Sequence, residues 1–172
     1  MEKREVVLRA LNFQDIPYVP WHFKFTVEAR EKLLNYLDGR DIEDYLQNHL
    51  VELGDDIGFF EYLGDNLYKD VFGVIWDRSN DKDIGNVRGT LLPEQSLKGY
   101  TFPDPLDKRY FEAIPDKINR YGDRFRLYAI GFSLFERAWT MRGMENLLMD
   151  FCVNPDFVHE LMDAITSYNI AQ

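Results

Sequence analysis

The side chains best suited to chemistry follow two short apolar runs of the sequence. His22 lies near the end of the run 19–23, and Glu136 and Arg137 follow the run 126–130. If both runs are parallel strands, their carboxyl ends share one edge of a sheet, where α/β barrels place their active sites. We therefore expect His22 and Glu136 to be catalytic candidates. A buried structural histidine and an acid that offsets a helix macrodipole remain the alternatives.

Other motifs favour structural explanations. Neither GxGxxG nor GxxxxGK[ST] occurs in the sequence, which disfavours a familiar phosphate loop. The segment 131–135 resembles a nucleophile elbow, but Phe135 occupies the second glycine position. The aspartates between 77 and 83 are spaced like calcium ligands, yet Lys82 and Arg88 stand where that loop needs a glycine and an acid. We therefore expect a solvated hairpin turn there.

Composition excludes several classes of partner. The 172 residues include 20 Lys+Arg and 30 Asp+Glu, which gives a formal net charge of -10. This charge repels the phosphate backbone of nucleic acid. The one cysteine, Cys152, excludes an internal disulfide and is typical of a reducing compartment. The N-terminus is charged, and no apolar run approaches the roughly 20 residues that a membrane span needs. We expect a cytoplasmic protein without a membrane partner.

The three histidines show neither His-x-Cys nor HExxH spacing. We therefore predict no metal site formed wholly within this chain.

The turn-forming residues and the apolar periodicity of the sequence predict its helices and strands. Helices are expected at 2–11, 27–37, 41–53, 103–121, 136–142 and from Asn154-Pro155 onward; strands at 19–23, 57–60 and 126–130; and a hairpin from 71–76 and 86–88.

Strands that alternate with helical stretches of ten or more residues indicate parallel pairing and an α/β fold. Three strands would make an unusually small doubly wound sheet, whereas eight-stranded α/β barrels run to about 250 residues. We therefore predict one domain, residues 1–172, that is the N-terminal part of a (β/α)8 TIM barrel with an N-terminal helix and an inserted β-hairpin. The helical pattern continues to Gln172 without a stop signal, as in an incomplete barrel. Its uncovered apolar faces would favour a homo-oligomer, domain swapping or cover by further polypeptide.

Several segments, taken in order, resemble the uroporphyrinogen decarboxylase superfamily. The resemblance is carried by REVVLRALNFQDIPYVPWHF, FGVIWDRSNDKDIGNV, GYTFPDPLD and LYAIGFSLFERAWTMRGMENLLMDFCVNPDFVHELMDAI. It covers nearly the whole chain. It implies a single (β/α)8 barrel about twice this length, of which this chain resembles the N-terminal half.

The superfamily holds two chemistries. Decarboxylases that act on tetrapyrrole acetate side chains carry an Arg-Gln-Ala-Gly-Arg stretch, where this sequence has Trp21 to Phe25. They also carry a Pro-Trp-Thr motif followed by a tyrosine, where this sequence has Ala138 and Met144 in place of the proline and the tyrosine. The other branch transfers methyl groups between a small methoxy or methylthiol compound and a corrinoid on a carrier protein. This sequence resembles that branch more closely.

The resemblance also implies roles for particular residues. His22 and Glu136 would face the barrel mouth as catalytic groups, and Trp21, Arg137 and Arg142 would contact a small-molecule substrate. A zinc ion would be held by a His-x-Cys pair and a later cysteine in the C-terminal half, so its ligands would lie outside this chain. Methyl transfer, uroporphyrinogen decarboxylation and a non-catalytic fragment remain the three alternatives.

Overall fold

A computed structural model describes residues 1–54 and 57–172 as a mixed α/β chain. Its helices are α1 (Lys3–Leu11), α2 (Val27–Leu37), α3 (Ile42–Leu46), α4 (Ile114–Arg120), α5 (Phe135–Arg142), α6 (Met144–Val153) and α7 (Pro155–Ala171), with a short 3-10 helix at Lys108–Tyr110. Its strands are β1 (Leu50–Glu52), β2 (Phe60–Gly64), β3 (Leu67–Asp70), β4 (Ile75–Asp77), β5 (Asn86–Arg88) and β6 (Phe125–Leu127). They form two separate small sheets, and no closed barrel is present among the described residues.

The chain divides into two compact units. The first unit contains Met1–Gly54 and Phe111–Ala129, and the second contains Asp55–Tyr110 and Ile130–Gln172. The second unit thus includes a segment inserted between β1 and α4 of the first. In neither described range is any helix both long enough and apolar enough to cross a bilayer.

The first unit is built around a parallel pair of strands. β1 pairs with β6, with Val51 opposite Arg126, and the backbone of Leu53 extends the ladder by donating to the Leu127 carbonyl at 2.7 Å. α4 precedes β6 in the chain and supplies the helical connection that parallel strands need. α1 buries Val6 and packs against β6. Of this pair, only β6 overlaps a predicted strand, 126–130; β1 lies in the segment predicted as the helix 41–53.

The chain before β1 differs from the prediction. The predicted helix 41–53 ends at Leu46, because Gln47 takes the left-handed conformation (φ 53°) and turns the chain into β1. The predicted strand 19–23 is not a strand, although the His49 backbone N–H donates to the Trp21 carbonyl at 2.9 Å. The next contact is made by a side chain and not by a second strand. Asn48 Oδ1 accepts from the backbone N–H of Phe23 at 2.9 Å, where a backbone carbonyl would accept in a sheet.

The second unit begins with a four-stranded antiparallel sheet of order β2-β3-β4-β5. The predicted hairpin is confirmed in the pairing of β4 with β5, where Ile75 lies opposite Arg88. The prediction of a parallel strand at 57–60 is wrong, because Phe60 begins β2 and pairs with Asp70 of β3 in antiparallel register. Asp55 and Asp56, at the start of that apolar segment, lie outside the described residues.

Three helices complete the second unit. α5 and α7 match the predicted helices, whereas α6 was not predicted. Within the predicted helix 103–121 the structure has the short 3-10 helix Lys108–Tyr110 and α4. Gly143, at φ +86°, separates α5 from α6. The buried core joins the loops and strands of the sheet to the three helices through Phe72, Val74, Trp76, Leu92, Ala138, Met141, Leu147, Phe157, Val158, Leu161, Ile165 and Tyr168.

Candidate functional site

A histidine, a lysine and a glutamate meet in the first unit, and we call them the His22 cluster. His22 Nε2 lies 3.5 Å from Glu52 Oε1, and Lys24 Nζ lies 2.6 Å from the same oxygen. The side chains of His22 and Glu52 are 22% and 25% exposed. One carboxylate therefore faces a lysine and an imidazole in a partly enclosed place.

Local backbone geometry explains how this cluster forms. His22 and Lys24 are alternate residues of an extended segment, so their side chains point to the same side of the chain. Glu52 is the last residue of β1, and its carbonyl accepts a hydrogen bond from Lys117 Nζ of α4 at 3.1 Å. Asn48 holds the backbone of Phe23 between the two basic residues. The cluster therefore lies at the carboxyl end of β1.

The imidazole of His22 has unused hydrogen-bonding capacity. Both of its ring nitrogens are shielded from solvent, and neither has a hydrogen-bond partner among residues 1–54 and 57–172. Buried polar groups in proteins are nearly always paired, so the His22 ring nitrogens have capacity for a further hydrogen-bond partner. The nitrogens of an imidazole can donate or accept a proton in catalysis. The arrangement is suited to delivering a proton to a bound substrate.

Trp21, which the sequence placed at the substrate, anchors the segment that carries His22. Its indole Nε1 donates to the carbonyl of Leu46 at 2.8 Å, and its ring meets that of His49 edge-on at 4.3 Å between centroids. His49 is buried, and its Nε2 lies 3.3 Å from the hydroxyl of Tyr18. Burial and the nearby Lys3 charge lower the pKa of His49, which favours the neutral ring. The predicted contact of Trp21 with substrate stays a prediction.

Glu136, Arg137 and Arg142 all belong to the second unit, whereas His22 belongs to the first. Glu136 is exposed in the first turn of α5, where an acid favours the helix macrodipole. Its predicted catalytic role is compatible with that exposure and stays a prediction.

Both predicted arginines are partners in buried ion pairs. Arg137 Nη1 donates to Asp70 Oδ2 at 2.6 Å, and the guanidinium lies 4.0 Å from the ring centre of Phe72. Arg142 Nε donates to Asp150 Oδ2 at 2.6 Å, and its Nη1 donates to the carbonyl of Leu92 at 2.9 Å. These pairs join the helices to the sheet and to the loop that follows it. The two guanidinium groups already have protein partners. Their predicted contact with substrate stays a prediction.

A cavity beside Arg137 is too small for a substrate. Phe132, Tyr110 and Tyr168 line it together with the guanidinium, and its volume is about 10 Å³. That volume is close to the space one water molecule needs. The two tyrosine hydroxyls lie 3.1 Å apart at its edge. Arg137 therefore lies beside a cavity that has no room for a substrate, and its guanidinium contacts protein groups instead.

Within the described ranges, 1–54 and 57–172, no three His, Cys, Asp or Glu side chains are close enough together to hold a metal ion. The zinc that the resemblance implies, with ligands outside this sequence, stays a prediction.

Sequence reasoning found His22 but missed Lys24 and Glu52. Glu52 was assigned to a helix because the apolar residues from Ile42 to Leu53 recur at helical spacing. The signal that could have found it is Asn48, a polar residue in the middle of that apolar face.

Comparison of the chain with protein-family models, curated proteins and solved structures finds no match.

Proposed function

We propose that this chain belongs to an enzyme of the uroporphyrinogen decarboxylase superfamily, in its methyltransferase-like branch. The reaction is transfer of a methyl group from a small methoxy or methylthiol compound to a corrinoid on a carrier protein. His22 supplies the proton that the demethylated substrate needs. The observation that carries this proposal is the solvent-shielded imidazole of His22, which lies 3.5 Å from Glu52 at the end of a parallel strand and has no hydrogen-bond partner among the described residues.

The first unit supports the barrel part of the proposal. β1, α4 and β6 form a parallel strand pair with a helix in the connection, which is the repeating element of an α/β barrel. Active sites of such barrels lie at the carboxyl ends of the strands. The His22 cluster lies at that end of β1. A partial TIM barrel remains part of the proposal.

The proposed step is a displacement at the methyl carbon. The bond between the methyl carbon and the substrate oxygen or sulfur breaks, and the acceptor forms a new bond to the methyl group. The departing oxygen or sulfur keeps the electron pair of the broken bond and takes a proton from the protonated His22 imidazole. Glu52 lies beside the ring and positions it, and Lys24 keeps the carboxylate in place. Solvent then restores the proton on His22.

The buried ion pairs weigh against the decarboxylase alternative. A substrate with several carboxylates is best recognised by free guanidinium groups, which bind them in bidentate fashion. Arg137 and Arg142 are engaged instead with Asp70 and Asp150 inside the second unit. Methyl transfer from a small compound does not require free guanidinium groups. When present, zinc would serve as a Lewis acid toward the thiol or ether group.

The natural protein can be tested directly for methyl transfer. Protein supplied with zinc is mixed under anaerobic conditions with cob(I)alamin and, in turn, methanol, a methoxybenzoate and methanethiol. Formation of methylcobalamin is followed by its absorbance. We expect one donor to react, and we expect His22→Ala to lower kcat/KM by about 100-fold or more, the usual contribution of a general acid. His159→Ala is the matched control, since His159 is exposed on α7, and it should leave the rate unchanged.

Three outcomes would contradict the proposal. The first is the absence of methyl transfer with every donor. The second is a His22→Ala protein that folds, as judged by circular dichroism, and reacts as fast as the wild type. The third is conversion of uroporphyrinogen to a product lighter by carbon dioxide, which would favour the decarboxylase alternative.

A further inference from the structure

Two hydrogen bonds hold the backbone on either side of His22. The Trp21 carbonyl before it accepts from the backbone N–H of His49 at 2.9 Å. The Phe23 N–H after it donates to Asn48 Oδ1, also at 2.9 Å. Because His22 lies between these two bonds, they fix the direction in which its side chain leaves the backbone. The orientation of the His22 ring therefore depends on both bonds.

A side chain makes the second bond because the backbone acceptor is used elsewhere. In a regular parallel pair, the carbonyl of His49 would accept from the Phe23 N–H. That carbonyl instead accepts from the backbone N–H of Phe125, the first residue of β6, at 2.8 Å. Asn48 Oδ1 takes its place, and Asn48 Nδ2 lies 3.4 Å from the Phe23 carbonyl. The amide of Asn48 thus replaces a neighbouring strand at this one residue.

A buried ion pair holds the amide of Asn48 in one orientation. Asn48 is fully buried, and its Nδ2 donates to both carboxylate oxygens of Glu43 at 3.3 Å. A carboxylate only accepts, so the amide nitrogen must face Glu43 and the amide oxygen must face the Phe23 N–H. Arg124 fixes Glu43 in turn, because it donates to the Glu43 carboxylate and, at 3.2 Å, to the Glu43 carbonyl. The Arg124 side chain is itself only 4% exposed.

We propose that Asn48 is a positioning residue of the methyl transfer, acting on His22 through the backbone of Phe23. This inference rests on the proposed function. Asn48 is fully buried and does not itself contact the substrate, but its bonds keep the His22 ring beside Glu52 and ready to give its proton to the departing oxygen or sulfur. Misplacement of a reacting group by about 1 Å can cost on the order of 100-fold in rate. Loss of Asn48 should therefore lower kcat and leave KM nearly unchanged, since His22 acts after the substrate has bound.

Asn48→Ala in the natural protein tests this role, because it removes both contacts with Phe23. We expect kcat for methyl transfer to fall by about 10- to 100-fold while KM changes by less than about 2-fold. The nuclear Overhauser contact between the His22 ring and the Glu52 side chain should weaken in the same variant. Val6→Ala is the matched control, because Val6 is equally buried in the first unit but lies on α1. Loss of stability alone should leave kcat, KM and the Overhauser contact as in the wild type.

An exchange of the acid and the amide provides a rescue test. Asn48→Asp alone brings two carboxylates together and should lower kcat much as Asn48→Ala does. When Glu43→Gln is added, the glutamine amide can donate to the aspartate, whose other oxygen still accepts from the Phe23 N–H. The double variant should recover kcat by about 5-fold or more over Asn48→Asp. A double variant no faster than Asn48→Asp would contradict the orientation assigned to the Asn48 amide.

Measurements on the unchanged chain test the proposal even where a variant does not fold. In isotope-labelled protein we expect a scalar coupling across the hydrogen bond from the Phe23 amide nitrogen to the Asn48 side-chain carbonyl carbon, and slow hydrogen exchange of that amide. Absence of both would overturn the proposal. A folded Asn48→Ala protein that keeps wild-type kcat and the Overhauser contact, or in which only KM rises, would also overturn it. Absence of methyl transfer by the wild type with every donor would contradict the proposed function instead, whereas the coupling and the Overhauser contact would still test how Asn48 positions His22.

Discussion

Replacement of Asp70 by asparagine should destabilise the second unit strongly. Asp70 Oδ1 accepts hydrogen bonds from the backbone N–H groups of Phe72 and Val74 at 3.0 and 2.9 Å. Its Oδ2 accepts from Trp76 Nε1 at 3.1 Å and from Arg137 Nη1 at 2.6 Å. All four bonds lie in the buried core. Asparagine has almost the same shape, so the change tests charge and hydrogen bonding without altering packing.

The size of the loss follows from these contacts. In Asp70→Asn the amide oxygen can keep the two backbone bonds, but the amide nitrogen then faces two other donors, Trp76 Nε1 and Arg137 Nη1. Two hydrogen bonds are lost, one of them to a charged group, and the Arg137 guanidinium is left buried without a counter-charge. Breaking a buried ion pair from one side typically costs about 3–5 kcal/mol. We expect that loss in the free energy of unfolding.

Urea denaturation followed by circular dichroism measures this loss, provided that the slope of the transition matches that of the wild type. The control is Glu61→Gln, which removes an exposed partner of Lys69 in the same sheet and should cost less than about 1 kcal/mol. Adding Arg137→Met to Asp70→Asn should recover part of the stability, because the unpaired charge is then gone. A loss below about 1 kcal/mol for Asp70→Asn would refute the structural role assigned to Arg137.

Two further predictions concern pH and backbone conformation. Burial lowers the pKa of His49 from its ordinary 6.5, so the unfolded chain binds a proton more readily than the folded chain. Stability should therefore be full above the ordinary pKa of 6.5 and should decline as the pH falls below it; His49→Gln should flatten that decline in urea titrations. Gly85 has φ +85°, and an added Cβ would lie 2.7 Å from the Asp77 carbonyl oxygen. Gly85→Ala should cost about 1–3 kcal/mol. Gly89→Ala, also at positive φ but with open space around the Cβ, should cost less; equal losses would show that the clash is unimportant.

Local signals in the sequence identified several elements correctly. Thr26 and Asp41 cap their helices, accepting from the backbone N–H groups of Ala29 and Asp44. Such caps are visible in the sequence because donor and acceptor are three residues apart. The hairpin of β4 and β5 was predictable for the same reason, since its polar turn separates two short apolar runs.

Long-range contacts account for the elements that were missed. The apolar spacing from Ile42 to Leu53 fits a helix, but Asn48 binds the backbone of Phe23, 25 residues away, and the chain leaves the helix at Gln47. β2 and β3 were missed because Asp65 and Asn66 form their turn in the left-handed conformation without an Asn-Gly or Asp-Gly signal.

The candidate site was predictable only in part. The position of His22 at the end of an apolar run was sufficient to select it, but its partner Glu52 depended on the strand that was mistaken for a helix. Arg137 and Arg142 were assigned to substrate binding through the family resemblance. Their burial follows from Asp70 and Asp150, and nothing in the sequence identifies these two aspartates as their partners.

The central claim is that β1 and β6 are parallel and place the His22 cluster at their common carboxyl end. Nuclear Overhauser contacts in isotope-labelled protein test it most directly. We predict contacts between β1 and β6 in the register Leu50–Phe125, Val51–Arg126 and Glu52–Leu127, with contacts from the His22 ring to the Glu52 side chain. An antiparallel pattern between these strands, or a His22 ring without contacts to Glu52, would contradict the account.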